Sequence, residues 1–407
     1  MKSVKRIIAW ICLSLGVQIA VLYYVDTYLF STENVSSKIV STKVEDNKKN
    51  RKSDINIEVP ENAERKALSC DGQYLAYIEN DRLKIVDTYS GDEENIELQQ
   101  GLHMSFYKWA SDRNILLIAA RKKSDEKSKF IFYSYDAEKG EKEKLQNKNG
   151  EETCFTAPRG TEVKDIELSP FTNMIYIKSG LAGGKSELHK INIMQKLNKV
   201  ETKIDMIGDI KIIPNDDSIA YESVNQNKVY ITGCLNPIKV DGVDKTSLID
   251  VDDNDVIYLG EIEENSEQGT FKIKNIYRGV MDKKLFATKR KDVDRDNEKS
   301  TETKHKGKNK SNSPLKKREK ESLKESKPKM RENISYKWDR IALEKSVDKK
   351  DIFISREGKI YINDNLKGVV IELGSNTEIK YKGTFLQMYD GGIASISDGK
   401  LVETLLK

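Results

Sequence analysis

His103, His189 and His305 are the only histidines in this 407-residue chain, so a catalytic dyad or triad with an imidazole base must be built on one of them. His305 sits in a low-complexity stretch, and the nucleophile elbow G-x-S-x-G is absent. Two stretches imitate ligand loops. "GLAGGKS", Gly180 to Ser186, ends like a phosphate loop, yet Ser179 stands where the leading glycine belongs and a strand follows instead of a helix N-terminus. "DVDDNDVIYLGE", Asp250 to Glu261, has oxygens at calcium-loop positions one, three, five and twelve. Asp255 replaces the glycine of position six, so the stretch reads as a solvated acidic turn. Cys70, Cys154 and Cys234 are odd in number and lack CxxC spacing, which suits half-buried apolar residues with at most one disulfide among them. The residues therefore imply no catalytic centre, no metal and no cofactor.

The elements around these residues are short strands. "LSCDGQYLAYIENDRLKIVDTYSGD", Leu68 to Asp92, is a turn, a β-rich run, a second turn and another β-rich run. Its opening recurs at Tyr107 to Ala120, Glu167 to Ser179 and Lys211 to Ser223, and more loosely at Leu248 to Gly260, Leu343 to Ser355 and Leu386 to Gly399. Most copies lead into a second alternating run such as Phe130 to Tyr133 or Lys359 to Ile362. A four-stranded unit of this kind cannot bury both faces alone, whereas a series of such units can.

The first copy, Leu68-Ser69-x-Asp71-Gly72-x-x-Leu75-Ala76-Tyr77 with Leu83-x-Ile85-x-Asp87 and Gly91 after it, resembles the repeat of TolB-type β-propellers, also found in the propeller domains of prolyl-oligopeptidase-like peptidases. The resemblance implies a scaffold for binding, or a gate over a hydrolase domain. The repeats run to the end of the chain, which leaves no room for such a hydrolase domain after them. The expected fold is all-β, a six- or seven-bladed β-propeller over 56–407 preceded by one transmembrane helix.

That helix is expected at 7–25, where IIAWICLSLGVQIAVLYYV is uncharged and close to the ~20 residues that span a bilayer. Lys2, Lys5 and Arg6 before it make 1–6 a cytoplasmic tail and place the rest outside the cell. Residues 26–55 are polar and read as a disordered tether. A second low-complexity stretch, the insert 289–331, holds 17 Lys or Arg against 8 Asp or Glu, while the rest of the chain beyond the span is near −8. Lys304, Lys306, Lys308, Lys310, Lys316, Lys317 and Arg318 are its candidates for binding a polyanion. Basic residues without interleaved aromatics speak against nucleic acid.

The sequence thus predicts a non-enzymatic binding or scaffolding module on the membrane of a Gram-positive cell. Its partner would be another envelope protein or an anionic wall polymer. The alternatives are a degenerate or unrecognised enzyme of the peptidase-propeller class and the ectodomain of a signalling complex.

Overall fold

The computed structural model describes residues 10, 18, 56–216, 218–265, 270–281 and 334–406. From 64 to 405 these form seven antiparallel sheets of consecutive strands. We number them as blades 1 to 7: 64–96, 103–158, 162–200, 207–231, 246–348, 352–380 and 384–405. The first strands are Glu64–Leu68, His103–Trp109, Glu162–Leu168, Ile207–Ile213, Thr246–Val251, Ile352–Ile354 and Thr384–Tyr389. Each meets the next from blade 1 to blade 6, and blade 7 meets blade 1. Phe353 and Phe385, with ring centroids 5.1 Å apart, join blades 6 and 7. The chain is therefore a closed seven-bladed propeller with its first strands lining the axis.

Seven apolar clusters hold it together, one between each pair of neighbours. Tyr74, Leu83 and Ile85 of blade 1 pack on Trp109, Leu116 and Tyr133 of blade 2. Phe130 and Phe155 of blade 2 pack on Val163 and Ile177 of blade 3, and so on around the ring. Second strands face a neighbour on both sides. Tyr74 to Tyr77 are consequently all buried, a continuous apolar run where a half-exposed strand would alternate. Burying each large side chain contributes about 1.5–3 kcal/mol, so blade stacking is the main source of stability.

The recurring turn explains the repeat. Asp71 accepts from the Ser69 hydroxyl (2.7 Å) and the Gln73 amide (2.9 Å), while Gly72 takes φ 78° with the Tyr389 ring pressed against it. In six of the seven first strands the register with the second strand shifts before the turn, as between Met104 and Phe106 or Val163 and Asp165. Such bulges bend the strand and re-aim its side chains.

Closure uses the start of the domain. The Val59 amide donates to Gly399 (2.8 Å) and the Leu401 amide to Ile57 (2.9 Å), so this segment flanks the last strand of blade 7, Lys400–Leu405. Ile57 and Val59 are buried with Leu68, Ala394 and Leu401. At the axis, the Gln387 amide exchanges two hydrogen bonds of 3.0 Å with the backbone of Leu68.

Three expectations are corrected. The copy placed at Leu343 to Ser355 is one strand out of step, because its lead-in belongs to the outer strand of blade 5, Tyr336–Asp348. The turn of blade 6 lies instead at Ser355 to Lys359, around Gly358 at φ 85°. The Asp250 to Glu261 turn is not solvated, since Asp252 and Asp255 are both buried. The third correction concerns the membrane: among the described residues no helix is long and apolar enough to cross a bilayer. An apolar run of the right length is necessary for a span, but a span also needs a continuous helix, and of 7–25 only Trp10 and Gln18 are described. The membrane location and the outward placement of the chain on a Gram-positive cell needed that span and are corrected with it. The segments 1–6 and 26–55 and the insert 289–331 lie outside the described residues. The insert falls between the third and fourth strands of blade 5, Thr270–Met281 and Tyr336–Asp348.

Candidate functional site

Charged side chains of the first strands of blades 2 to 5 meet in ion pairs around the axis. Lys108 of blade 2 reaches Asp165 (2.9 Å) and Glu167 (2.7 Å) of blade 3. Lys211 of blade 4 pairs with Asp250 of blade 5 at 3.1 Å. Lys349, just before blade 6, lies between Asp209 (2.5 Å) and Glu222 (2.6 Å) of blade 4. Burial works to lower the pKa of Lys108, but the Glu167 and Asp165 carboxylates outweigh it and hold the ammonium above its ordinary value. Burial likewise opposes, and Asp250 and Glu167 secure, the charge on Lys211. Burial pulls Glu167 the other way, above the usual carboxylate range, against Lys108 and Lys211. The belt is deep but wet, for the Lys108 side chain keeps 36% of its surface accessible.

At the turn end of the axis a cavity of 1410 Å³ opens between blades 1, 2, 5, 6 and 7. Its wall is partly aromatic, with Tyr107, Trp109, Phe353, Tyr361 and Tyr389. Polar groups gather at the mouth. Arg356 of blade 6 bridges Asp253 of blade 5 (2.8 Å) and Asp390 of blade 7 (3.4 Å). The Asp390 amide donates to the Cys70 carbonyl of blade 1 at 2.8 Å. Burial raises the Asp390 carboxyl, although Arg356 draws it back. The Cys70 thiol is pushed up to about 12 by burial, then by Asp71, Asp390 and Asp112, with only Arg356 opposing. It is held protonated and is a poor nucleophile.

The other residues singled out in the sequence lie elsewhere. His189 is buried between blades 2 and 3, stacked on Phe155 at 4.1 Å, where burial holds its pKa down to about 4. His103 begins the first strand of blade 2 and is exposed. Gly180 to Ser186 forms the connection from the second to the third strand of blade 3, with a strand after it as expected. Asp252 accepts from the amides of Asn254 and Val256 and from the Tyr258 hydroxyl, and Asp255 accepts from Asn215, so that turn's carboxylates serve the fold. No disulfide joins Cys70, Cys154 and Cys234. The seven basic candidates from Lys304 to Arg318 lie outside the described residues.

Neither the belt nor the cavity was read from the sequence. The belt left a signal, charged residues two apart in apolar lead-ins, as at Asp165 and Glu167 or Asp209 and Lys211. The cavity left none, because Leu68 and Gln387, which meet on its wall, are 319 residues apart.

No protein-family model and no curated protein matches the chain. Solved structures do. The β-propeller domain of Myceliophteria thermophila Cps50 (Swd1) is 9% identical at a TM-score of 0.47, with 87% of this chain and 100% of that chain covered. Dipeptidyl peptidase 4 of Porphyromonas gingivalis is 10% identical over 54% of this chain and 42% of that one, TM-score 0.35. TolB from Acinetobacter baumannii is 14% identical over 53% and 52%, TM-score 0.31. The chain thus spans about half or less of the dipeptidyl peptidase and of TolB. The fold assignment rests on the seven sheets, not on these likenesses.

Proposed function

We propose that the chain is a non-catalytic binding module whose ligand sits in the axial cavity. The observation that carries this reading is the cavity itself, walled by five blades. At 1410 Å³ it exceeds the ~300–1,000 Å³ usual for small-molecule pockets. Its aromatic wall supplies contact area, and the Asp253, Arg356 and Asp390 cluster at its mouth supplies orientation. No nucleophile and base meet there among the described residues, and the one thiol on the wall, Cys70, is held protonated. The belt below the cavity pairs blade 2 with blade 3, blade 4 with blade 5, and blade 4 with the link ahead of blade 6, which lowers the cost of ordering the wall on binding.

Selection of displayed random peptides against the immobilised chain tests this. Enriched peptides should be recovered at their original mass, and hydrogen exchange should slow at 353–361 and 387–391 when they bind. Peptides recovered cleaved would indicate a hydrolase, and protection confined to other blades would reject the cavity as the site.

A further inference from the structure

The seven interblade clusters are unequal. Six contain between nine and thirteen buried residues among those described. The seventh, between blades 6 and 7, contains three, Tyr361, Val370 and Ile393, and the six further apolar side chains packed there are only partly buried. Its cause is local: the first strand of blade 6, Ile352–Ile354, has three residues and no bulge, and only Phe353 of them joins this junction. The junction opens into the cavity, where Phe353, Ile379, Met388 and Leu406 line the wall without being fully buried. Leu405, beside them, is exposed.

The charges at the adjoining mouth are also incompletely matched. Asp253 holds the Arg356 guanidinium at 2.8 Å, which leaves Asp390 its contact only at 3.4 Å. An apolar groove thus runs into a mouth where two carboxylates, Asp253 and Asp390, share one guanidinium.

From this we infer that the junction between blades 6 and 7 is a docking groove for an extended peptide in which lysine or arginine alternates with bulky apolar residues. The apolar side chains complete the thin core against Phe353 and Ile379, and the cation faces Asp390 at the mouth. The inference rests on the cavity being a binding site, and it adds the chemistry of the ligand. An acidic or purely polar peptide lacks one half of the match.

The test is fluorescence anisotropy with three labelled octapeptides at 0.15 M salt: alternating lysine and leucine, alternating glutamate and leucine, and alternating lysine and serine. The lysine–leucine peptide should bind the full chain at least tenfold more tightly than either of the others. Asp390→Asn and Phe353→Ala should each weaken it at least tenfold, while Leu366→Ser, a fully exposed change at a turn between the second and third strands of blade 6, should not. Hydrogen exchange of the unaltered chain with this peptide should slow at 352–361 and 387–391, which keeps the question open to an answer if Phe353→Ala does not fold. Residues 289–331 share the cationic half of this chemistry, so a chain lacking them is titrated in parallel. Tighter binding after deletion identifies them as a competing source, and equal binding identifies another chain. Equal affinity for the three peptides, or full affinity in Asp390→Asn, overturns the inference. If the glutamate–leucine peptide is the one that protects the cavity strands, the cavity is still a site and only the assigned chemistry is wrong.

Discussion

His189 should make the junction of blades 2 and 3 acid-labile. It is 6% exposed, its ring lies 12° from coplanar with Phe155, and its Nδ1 has no hydrogen-bond partner. Burial lowers its pKa to about 4, with Glu187 pulling weakly upward, against 6.5 in the unfolded chain. Above pH 6.5 the ring is neutral in both states and contributes no pH dependence. Between 6.5 and about 4 the unfolded chain binds a proton that the folded chain refuses, so stability falls as pH falls. Below about 4 both states are charged and the slope ends. At 1.36 kcal/mol per pKa unit, the loss across this window is about 3 kcal/mol. His189→Phe removes the titration while keeping a ring on Phe155. Urea unfolding at steps from pH 7.5 to 4 should give curves for the two chains that diverge below 6.5, the original becoming the less stable. Carboxylates titrate alike in both and cancel in the difference. The His189 Cε1 proton signal, assigned by its absence from the His189→Phe spectrum, should stay unshifted down to about pH 4.5 in the native state. A difference between the chains that is flat with pH, or a native His189 signal titrating near 6.5, would refute the reasoning.

Lys108→Met should cost about 1–3 kcal/mol, because Asp165 and Glu167 lose their shared cation; this lies below the ~3–5 kcal/mol of a fully buried pair since the belt is wet. In a urea series, adding Glu167→Gln should cost less than the sum of the two single changes. Gly72→Ala should lower thermal stability by about 2–4 kcal/mol, combining strain at φ 78° with a Cβ 2.6 Å from the Tyr389 ring. Gly399→Ala, at φ 74° but with open space around it, should show the strain alone. Cys70 should react with iodoacetamide at pH 8.5 at least a hundredfold more slowly than free cysteine, as its raised pKa of about 12 requires. Asp390→Asn should speed that reaction, measured by mass shift, since it removes one of the carboxylates that raise the thiol.

What the sequence revealed follows from how local each cause is. The Asp71-Gly72 turn and the buried run Tyr74 to Tyr77 depend on residues within ten positions of one another, and they announced the repeat. Blade 6 was read one strand early because Leu343 and Val347, apolar residues of an outer strand, imitate an inner lead-in, while its own turn carries Arg356 and Glu357 where five of the other six blades have Asp. Asp252 looked solvated because nothing near it in sequence covers it. Its cover is Gly358 of the next blade, whose carbonyl meets the same Tyr258 hydroxyl that Asp252 accepts from. The cavity depends on side chains from five blades, a relation that no window along the chain contains.

The pairing of Ile57 and Val59 with the edge of blade 7 also sets an order of events in folding. The segment must wait, unpaired and apolar, until Lys400 and Leu401 have been made and blade 7 has formed. Joining ends roughly 340 residues apart costs about 5 kcal/mol of loop entropy if the chain between is unstructured. Once the intervening blades stand, the two edges are already neighbours and most of that cost is gone. The ring is therefore expected to assemble by successive stacking and to seal last at this seam, slowly for its stability because the decisive contact is so distant in sequence. A chain trapped before sealing would present two open blade faces and a free apolar strand, the form most prone to pair with a second copy of itself.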